Sequence, residues 1–102
     1  MSENYLTIKT SGSHELEIKK SHFICSVQRV AKKEEADAFI ASVQRDNPKA
    51  NHNCFAYMVG KHDEVQRESD DGEPSGTAGV PILEVLKQLK IHNVVAVVTR
   101  YF

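Results

Sequence analysis

Long apolar runs, cysteines and net charge are all scarce in this chain of 102 residues. No stretch approaches the roughly 20 apolar residues that a membrane helix needs, so no membrane role is expected. The amino terminus, Met1-Ser2-Glu3-Asn4-Tyr5, lacks a basic-then-apolar pattern, so no secretory signal is read there. Cys25 and Cys54 are the only cysteines. Without a signal, the expectation is a reducing, cytoplasmic setting with two free, packed thiols and no Cys25–Cys54 disulfide. The formal net charge of -1 excludes a globally basic nucleic-acid binder but leaves room for a local basic patch. No repeat, low-complexity tract or linker divides the chain, so residues 1–102 read as one small domain.

What is present is an ordinary globular composition, 40% hydrophobic and 26% charged. Tyr5-Leu6-Thr7-Ile8 alternates weakly as a first strand, and Ser11-Gly12-Ser13 reads as a turn. Glu15 to Lys19 alternates charged and apolar residues, and Phe23, Cys25 and Val27 continue that period on a second run. Ala36, Phe39, Ile40 and Val43 follow helical spacing and predict a helix from about Lys33 to Asp46. Glu34 and Glu35 suit its positive end, and Asn47-Pro48 stops it. The run from Asn53 to Val59 is nearly all apolar, as in a strand covered on both faces. Val65 to Glu68 reads as a short exposed strand. Ile82, Val85, Leu86 and Leu89 predict a second amphipathic helix with Pro81 in its first turn. Val94 to Val98 is the strongest strand signal, β-branched and uncharged. The order strand–strand–helix–strand–strand–helix–strand predicts a two-layer α+β fold. It has a mixed, mostly antiparallel sheet with two helices on one face.

Between Lys61 and Glu73 six acids face two bases, a local charge of -4 (6 − 2 = 4 excess acids). The small-residue run Pro74-Ser75-Gly76-Thr77-Ala78-Gly79 follows and leads directly into a helix. Two chemistries fit. Backbone N–H groups at the helix start, freed by Gly76 and Gly79 and aided by Ser75 and Thr77, form a nest for a phosphate or carboxylate. Alternatively, Asp70, Asp71 and Glu73 gather a hard cation such as Mg²⁺. The plainer reading is a turn at Asp71-Gly72, a helix cap at Thr77 or Gly79, and solvated acids. The segment is neither a Walker motif nor a dinucleotide fingerprint.

His52 and Cys54, two apart on a strand, share a face. They suit a thiolate with its base or a partial metal site, against the plainer role of a packed thiol. Lys19-Lys20-Ser21-His22 and Lys32-Lys33 are short basic clusters, each a solvated face or a contact for phosphate or an acidic partner. No metal site and no cofactor is assigned.

The run Asp70-Asp71-Gly72-Glu73-Pro74-Ser75-Gly76-Thr77-Ala78-Gly79, followed by Pro81-Ile82-Leu83, resembles the signature of the Impact family. Lys19-Lys20-Ser21-His22-Phe23, His52-Asn53-Cys54-Phe55-Ala56-Tyr57 and Val97-Val98-Thr99-Arg100-Tyr101-Phe102 resemble three further motifs in the family's order. The resemblance implies the amino-terminal Impact domain. Its fold is similar to the second domain of a small-subunit ribosomal protein and the fourth domain of the translocating elongation factor. It implies a regulatory, non-catalytic binding role near translation, with RNA, the ribosome or a translation-regulatory protein as partner. The contact residues would be Asp70, Asp71, Gly72, Glu73, Pro74, Ser75, Gly76, Thr77 and Gly79, joined by Lys19, Lys20 and Arg100. Arg100 is alternatively a salt-bridge partner of Asp70 or Asp71.

His22 and Val80 stand where the family commonly carries a cation, which weakens the implied nucleic-acid role. The family continues beyond Tyr-Phe with a Gly-Gly-x-x-Leu-Gly turn, another helix and, in bacteria, a ferredoxin-like domain. A fragment is therefore expected. The rival reading is a metal-assisted phosphoester hydrolase using Asp70, Asp71 and Glu73. A peptidase has no support, since neither a His-Glu-x-x-His nor a Gly-x-Ser-x-Gly motif is present.

Overall fold

The computed structural model describes residues 11–18 and 20–102. The strand expected at Tyr5–Ile8 lies outside the described residues, as does Lys19. In chain order the elements are β1 (Ser11–Ile18), β2 (Ser21–Arg29), α1 (Lys33–Asp46), β3 (His52–Val59), β4 (Val65–Ser69), α2 (Gly79–Gln88) and β5 (Val94–Tyr101). The strands form one sheet in the order β1-β2-β5-β3-β4. Every described pairing is antiparallel. Since β2 and β3 both oppose β5, they run parallel to each other with β5 between them, and α1 makes the crossover.

The α+β class and the order of elements agree with the sequence pattern. Ser11-Gly12-Ser13 does not form the expected turn; it opens β1 by pairing with Gln28, Val27 and Ser26. A waiting strand edge overrides turn-prone composition there.

α1 starts and stops where its sequence signals lie. Glu35 accepts a hydrogen bond from the Ala31 N–H at 2.7 Å. At the other end the Asn47 amide donates to the Val43 carbonyl at 2.9 Å, using one of the orphan acceptors of the last turn.

The sheet carries a helix on each face, which corrects the expectation of two helices on one. Alternation along β3 sends Phe55, Tyr57 and Val59 toward α1, where they cluster with Ala36, Ile40, Val43, Val95 and Val97. Ala56 and Met58 point the other way and cluster with Leu86 of α2, Val94 and Ala96. The unbroken apolar run in β3 signals a strand covered twice, and β3 needs both helices to cover it. The stripe on α2 is also narrower than expected. Leu86 is buried and Ile82 and Leu83 are half-buried, whereas Val85 and Leu89 are 50% and 51% exposed.

Candidate functional site

The acidic loop between β4 and α2 closes on itself through one carboxylate. Asp70 Oδ1 accepts the backbone N–H groups of Ala78 at 3.0 Å and Gly79 at 2.7 Å, and Oδ2 accepts that of Gly76 at 2.8 Å. These are donors at the start of α2, which has no other side-chain cap. The backbone donors read as an anion nest at this helix start are taken by the chain's own Asp70 carboxylate. Those backbone bonds hold the Asp70 carboxyl below its usual pKa. Neither Thr77 nor Gly79 is the cap. The Thr77 hydroxyl turns back to the Pro74 carbonyl, and the N-cap position is Ala78.

The two glycines serve this closure differently. Gly76 has φ +79°, a left-handed conformation that favours glycine. Gly79 is needed for close approach, since a Cβ there would lie 2.6 Å from the Ser69 nitrogen.

The same loop is fastened to the entrance of β3. Asp71 Oδ2 accepts the Asn53 N–H at 2.6 Å, and its carbonyl meets His52 Nδ1 at 2.8 Å. The Cys54 thiol donates to the Asp70 carbonyl at 3.1 Å. His52 and Cys54 do share a face, as their spacing requires, but they grip the loop. Burial, then the Glu73, Asp71 and Asp70 charges, push the Cys54 thiol up to about 11. A thiol held there is protonated at neutral pH, so the nucleophile reading fails.

Glu73 pairs with Arg100 and lies 3.9 Å from His52 Nε2. The Nη1–Oε2 distance is 2.9 Å, and the two side chains are 13% and 29% exposed respectively. Arg100 also donates to Ser21 Oγ at 3.3 Å, and its guanidinium stacks 5.4 Å from the Phe23 ring and 4.5 Å from Phe102. The salt-bridge partner of Arg100 is therefore Glu73, not Asp70 or Asp71. Asp70, Asp71 and Glu73 each commit oxygens to a different partner. Among the described residues no group of three His, Cys, Asp or Glu side chains is arranged to hold a metal ion.

Under the loop lies a cleft of about 440 Å³, lined by Phe23, Cys54, Glu73, Pro74, Thr77, Ala78, Ile82, Val98 and Arg100. Its walls are largely apolar, with the Arg100–Glu73 pair at one end. The loop's outer surface is exposed at Asp71, Gly72, Pro74, Ser75, Gly76 and Thr77. Lys20 is exposed in the turn before Ser21, and Lys19 is outside the described residues. Phe23, Ile82 and Val98 stand within the sequence motifs but not among the candidate contact residues, and the cleft adds them. Their signal is parity: Phe23, Val98 and Arg100 all point to the α2 side of the sheet.

Residues 19–102 match the family model of the Impact N-terminal domain. The chain belongs to the Impact family. It is 51% identical over 102 residues to the IMPACT family member YvyE of Bacillus subtilis (strain 168), covering 100% of this chain and 47% of that protein. Against the IMPACT family member YigZ of Escherichia coli (strain K12) it is 44% identical over 88 residues, covering 84% of this chain and 43% of that one. The chain thus spans about half the length of these Impact relatives.

Among solved structures, a crystal structure of a hypothetical protein superposes with a TM-score of 0.91 at 38% identity, covering 100% of this chain and 50% of the other. The two-domain translational regulator Yih1 superposes at 0.71 with 24% identity, covering 93% of this chain and 38% of the other. At that identity the likeness is one of fold. Residues 70–79, the run that resembles a family signature, coincide with the loop that Asp70 closes.

Proposed function

We propose that this domain is a non-catalytic, regulatory binding module of the translation machinery, acting in the cytoplasm, and that residues 70–79 present its contact surface to a protein partner. Lys20 and Arg100 flank that surface. The observation that carries the reading is the internal closure of the loop by Asp70. A loop fixed by its own carboxylate meets a partner without the ordering cost that a mobile loop incurs. Its exposed outer residues border an apolar cleft, which is the usual form of an anchor site in a protein interface. The fold shared with the translational regulator Yih1 supports the setting. Protein is favoured over RNA by the local excess of acids between Lys61 and Glu73.

The test is co-sedimentation of the protein, at its full natural length, with ribosomes from its own cells. Ser75→Arg places a bulky cation on the exposed face of the loop. Binding is expected to weaken about tenfold while the melting temperature is kept. Equal co-sedimentation of both forms overturns the assignment. Binding that falls steeply with salt and survives on purified ribosomal RNA transfers the role to nucleic acid.

A further inference from the structure

Asp71-Gly72 is the one place in the sequence where glycine follows an aspartate or an asparagine. The fold asks for this pair. The Glu73 N–H donates to the Asp70 carbonyl at 2.9 Å, so Asp71 and Gly72 are the central residues of a tight turn. Their φ angles are +45° and +90°. Two successive positive values mark a type I′ turn, where aspartate followed by glycine is among the few favoured pairs. Gly72 also lies close to His52: a Cβ there would stand 3.3 Å from Nδ1.

The same pair has a chemical weakness. Glycine has no side chain to shield its own backbone nitrogen, which can attack the carboxyl carbon of the aspartate before it. A bond forms from the Gly72 nitrogen to Asp71 Cγ. The bond from Cγ to one carboxyl oxygen breaks, and that oxygen leaves as water with the amide proton and the carboxyl proton. The five-membered succinimide then takes up water at either carbonyl. Attack at Cγ restores aspartate. Attack at the main-chain carbonyl carbon of Asp71 leaves the chain running through the side-chain carbons, as isoaspartate. Water is the only reagent, and no oxidant or reductant enters.

Three ties hold Asp71 in the turn. Its Oδ2 accepts the Asn53 N–H at 2.6 Å, its carbonyl meets His52 Nδ1 at 2.8 Å, and its N–H donates to Ser69 Oγ at 3.1 Å. Ring closure brings Cγ onto the Gly72 nitrogen, which rotates the Asp71 backbone out of the turn and pulls its carboxyl off Asn53. The reaction therefore passes through local opening of the loop. Its product cannot remake the ties. The main-chain carbonyl that meets His52 becomes part of a free carboxylate, and the carboxylate that accepts from Asn53 becomes an amide within the chain. One extra carbon also enters the turn that the Glu73 N–H closes.

We propose that Asp71-Gly72 is a site of isoaspartate formation, that its ties to β3 hold the reaction in check, and that conversion unfastens residues 70–79 from β3 irreversibly. The reaction needs no partner, so it stands whatever the loop contacts.

The test ages the protein, at its full natural length, at pH 7 in water enriched in heavy oxygen, both folded and in guanidinium. Peptide mass spectrometry reads position 71. Isoaspartate carrying one heavy oxygen is expected there, formed about tenfold or more slowly in the folded protein, since only the open fraction reacts. His52→Ala removes one tie and raises the folded rate toward the unfolded one. Ile40→Val, in the core under α1, lowers global stability and leaves the rate where it was. In the purified isoaspartyl form the Asn53 amide loses its protection from hydrogen exchange, while Val95 and Val97 keep theirs.

Absence of isoaspartate at position 71 in the unfolded chain overturns the site. Equal rates in folded and unfolded protein, a comparison that needs no variant, overturn the protection, as does a folded His52→Ala protein that reacts no faster than the parent. Acceleration by Ile40→Val as large as that by His52→Ala makes the opening global and overturns the role of the ties. An isoaspartyl form whose Asn53 amide stays protected overturns the unfastening.

Discussion

Asp70 does at residue scale what a capping residue normally does from the position next to the helix, but from eight residues before the N-cap. Its charge is matched to three backbone donors, which is why its carboxyl is easier to ionise in the folded chain. The folded pKa is depressed, so the stabilisation is present above the unfolded value and is lost as pH falls through the folded one. Asp70→Asn should therefore melt lower than the parent at pH 7, and the gap should close below about pH 4 as the parent carboxylate is protonated. Melting curves from pH 7 to pH 2 check this, and a gap of constant size refutes it. Cys54 makes a second residue-level prediction. With its thiol pushed up to about 11, alkylation by iodoacetamide should rise only above pH 10 in the native protein. An inflection near pH 8 would mean an accessible, ordinary thiol.

At the scale of elements, the entry of α2 depends on contact with β4 as much as on its own caps. Adding a methyl at Gly79 brings carbon to 2.6 Å from the Ser69 nitrogen and 2.8 Å from its carbonyl carbon, so backbone must move. Gly79→Ala is expected to cost about 1–3 kcal/mol in urea unfolding, the usual range for overpacking. An unchanged midpoint would show that the helix start shifts freely.

Periodicity served elements well where one neighbour decided the pattern. α1 is bounded by its acids, its apolar stripe and Asn47-Pro48, and all three act locally. β3 and β5 are apolar on both faces and declare themselves as buried strands. The side of the sheet taken by α2 was not legible, because an apolar stripe states that a helix is covered but not by which face. Val85 and Leu89 extend the helical pattern without being buried, so the stripe overstates the contact. In the loop, residue types and spacing pointed to a helix start rich in backbone donors beside carboxylates. The cancellation of nest against carboxylate is a matter of rotamer and distance, which spacing does not encode.

The whole molecule is organised about β5, which lies between β2 and β3 and has Val94, Val95 and Val97 almost wholly buried. β3 beside it is buried from Asn53 to Val59. β4 is different: it is short, pairs on one side among the described residues, and is exposed from Val65 to Glu68. The acidic loop links this weak edge to α2 and is tied to the strong centre by Asn53, His52 and Cys54. Local opening free energies follow burial and pairing, so amides of β3 and β5 should exchange only with global unfolding. Amides of β4 that face solvent should exchange by local opening. Those of Gly76, Ala78 and Gly79, although in a surface loop, should be protected well above their neighbours because Asp70 accepts them. Asp70→Asn should speed exchange at these three amides at pH 7 far more than at Ala56, Tyr57, Val95 and Val97, whose exchange rises only by the factor that the loss of global stability sets. Hydrogen exchange read by NMR separates the outcomes. Equal acceleration through the sheet would make the clasp part of the global fold rather than a local fastening of the binding loop.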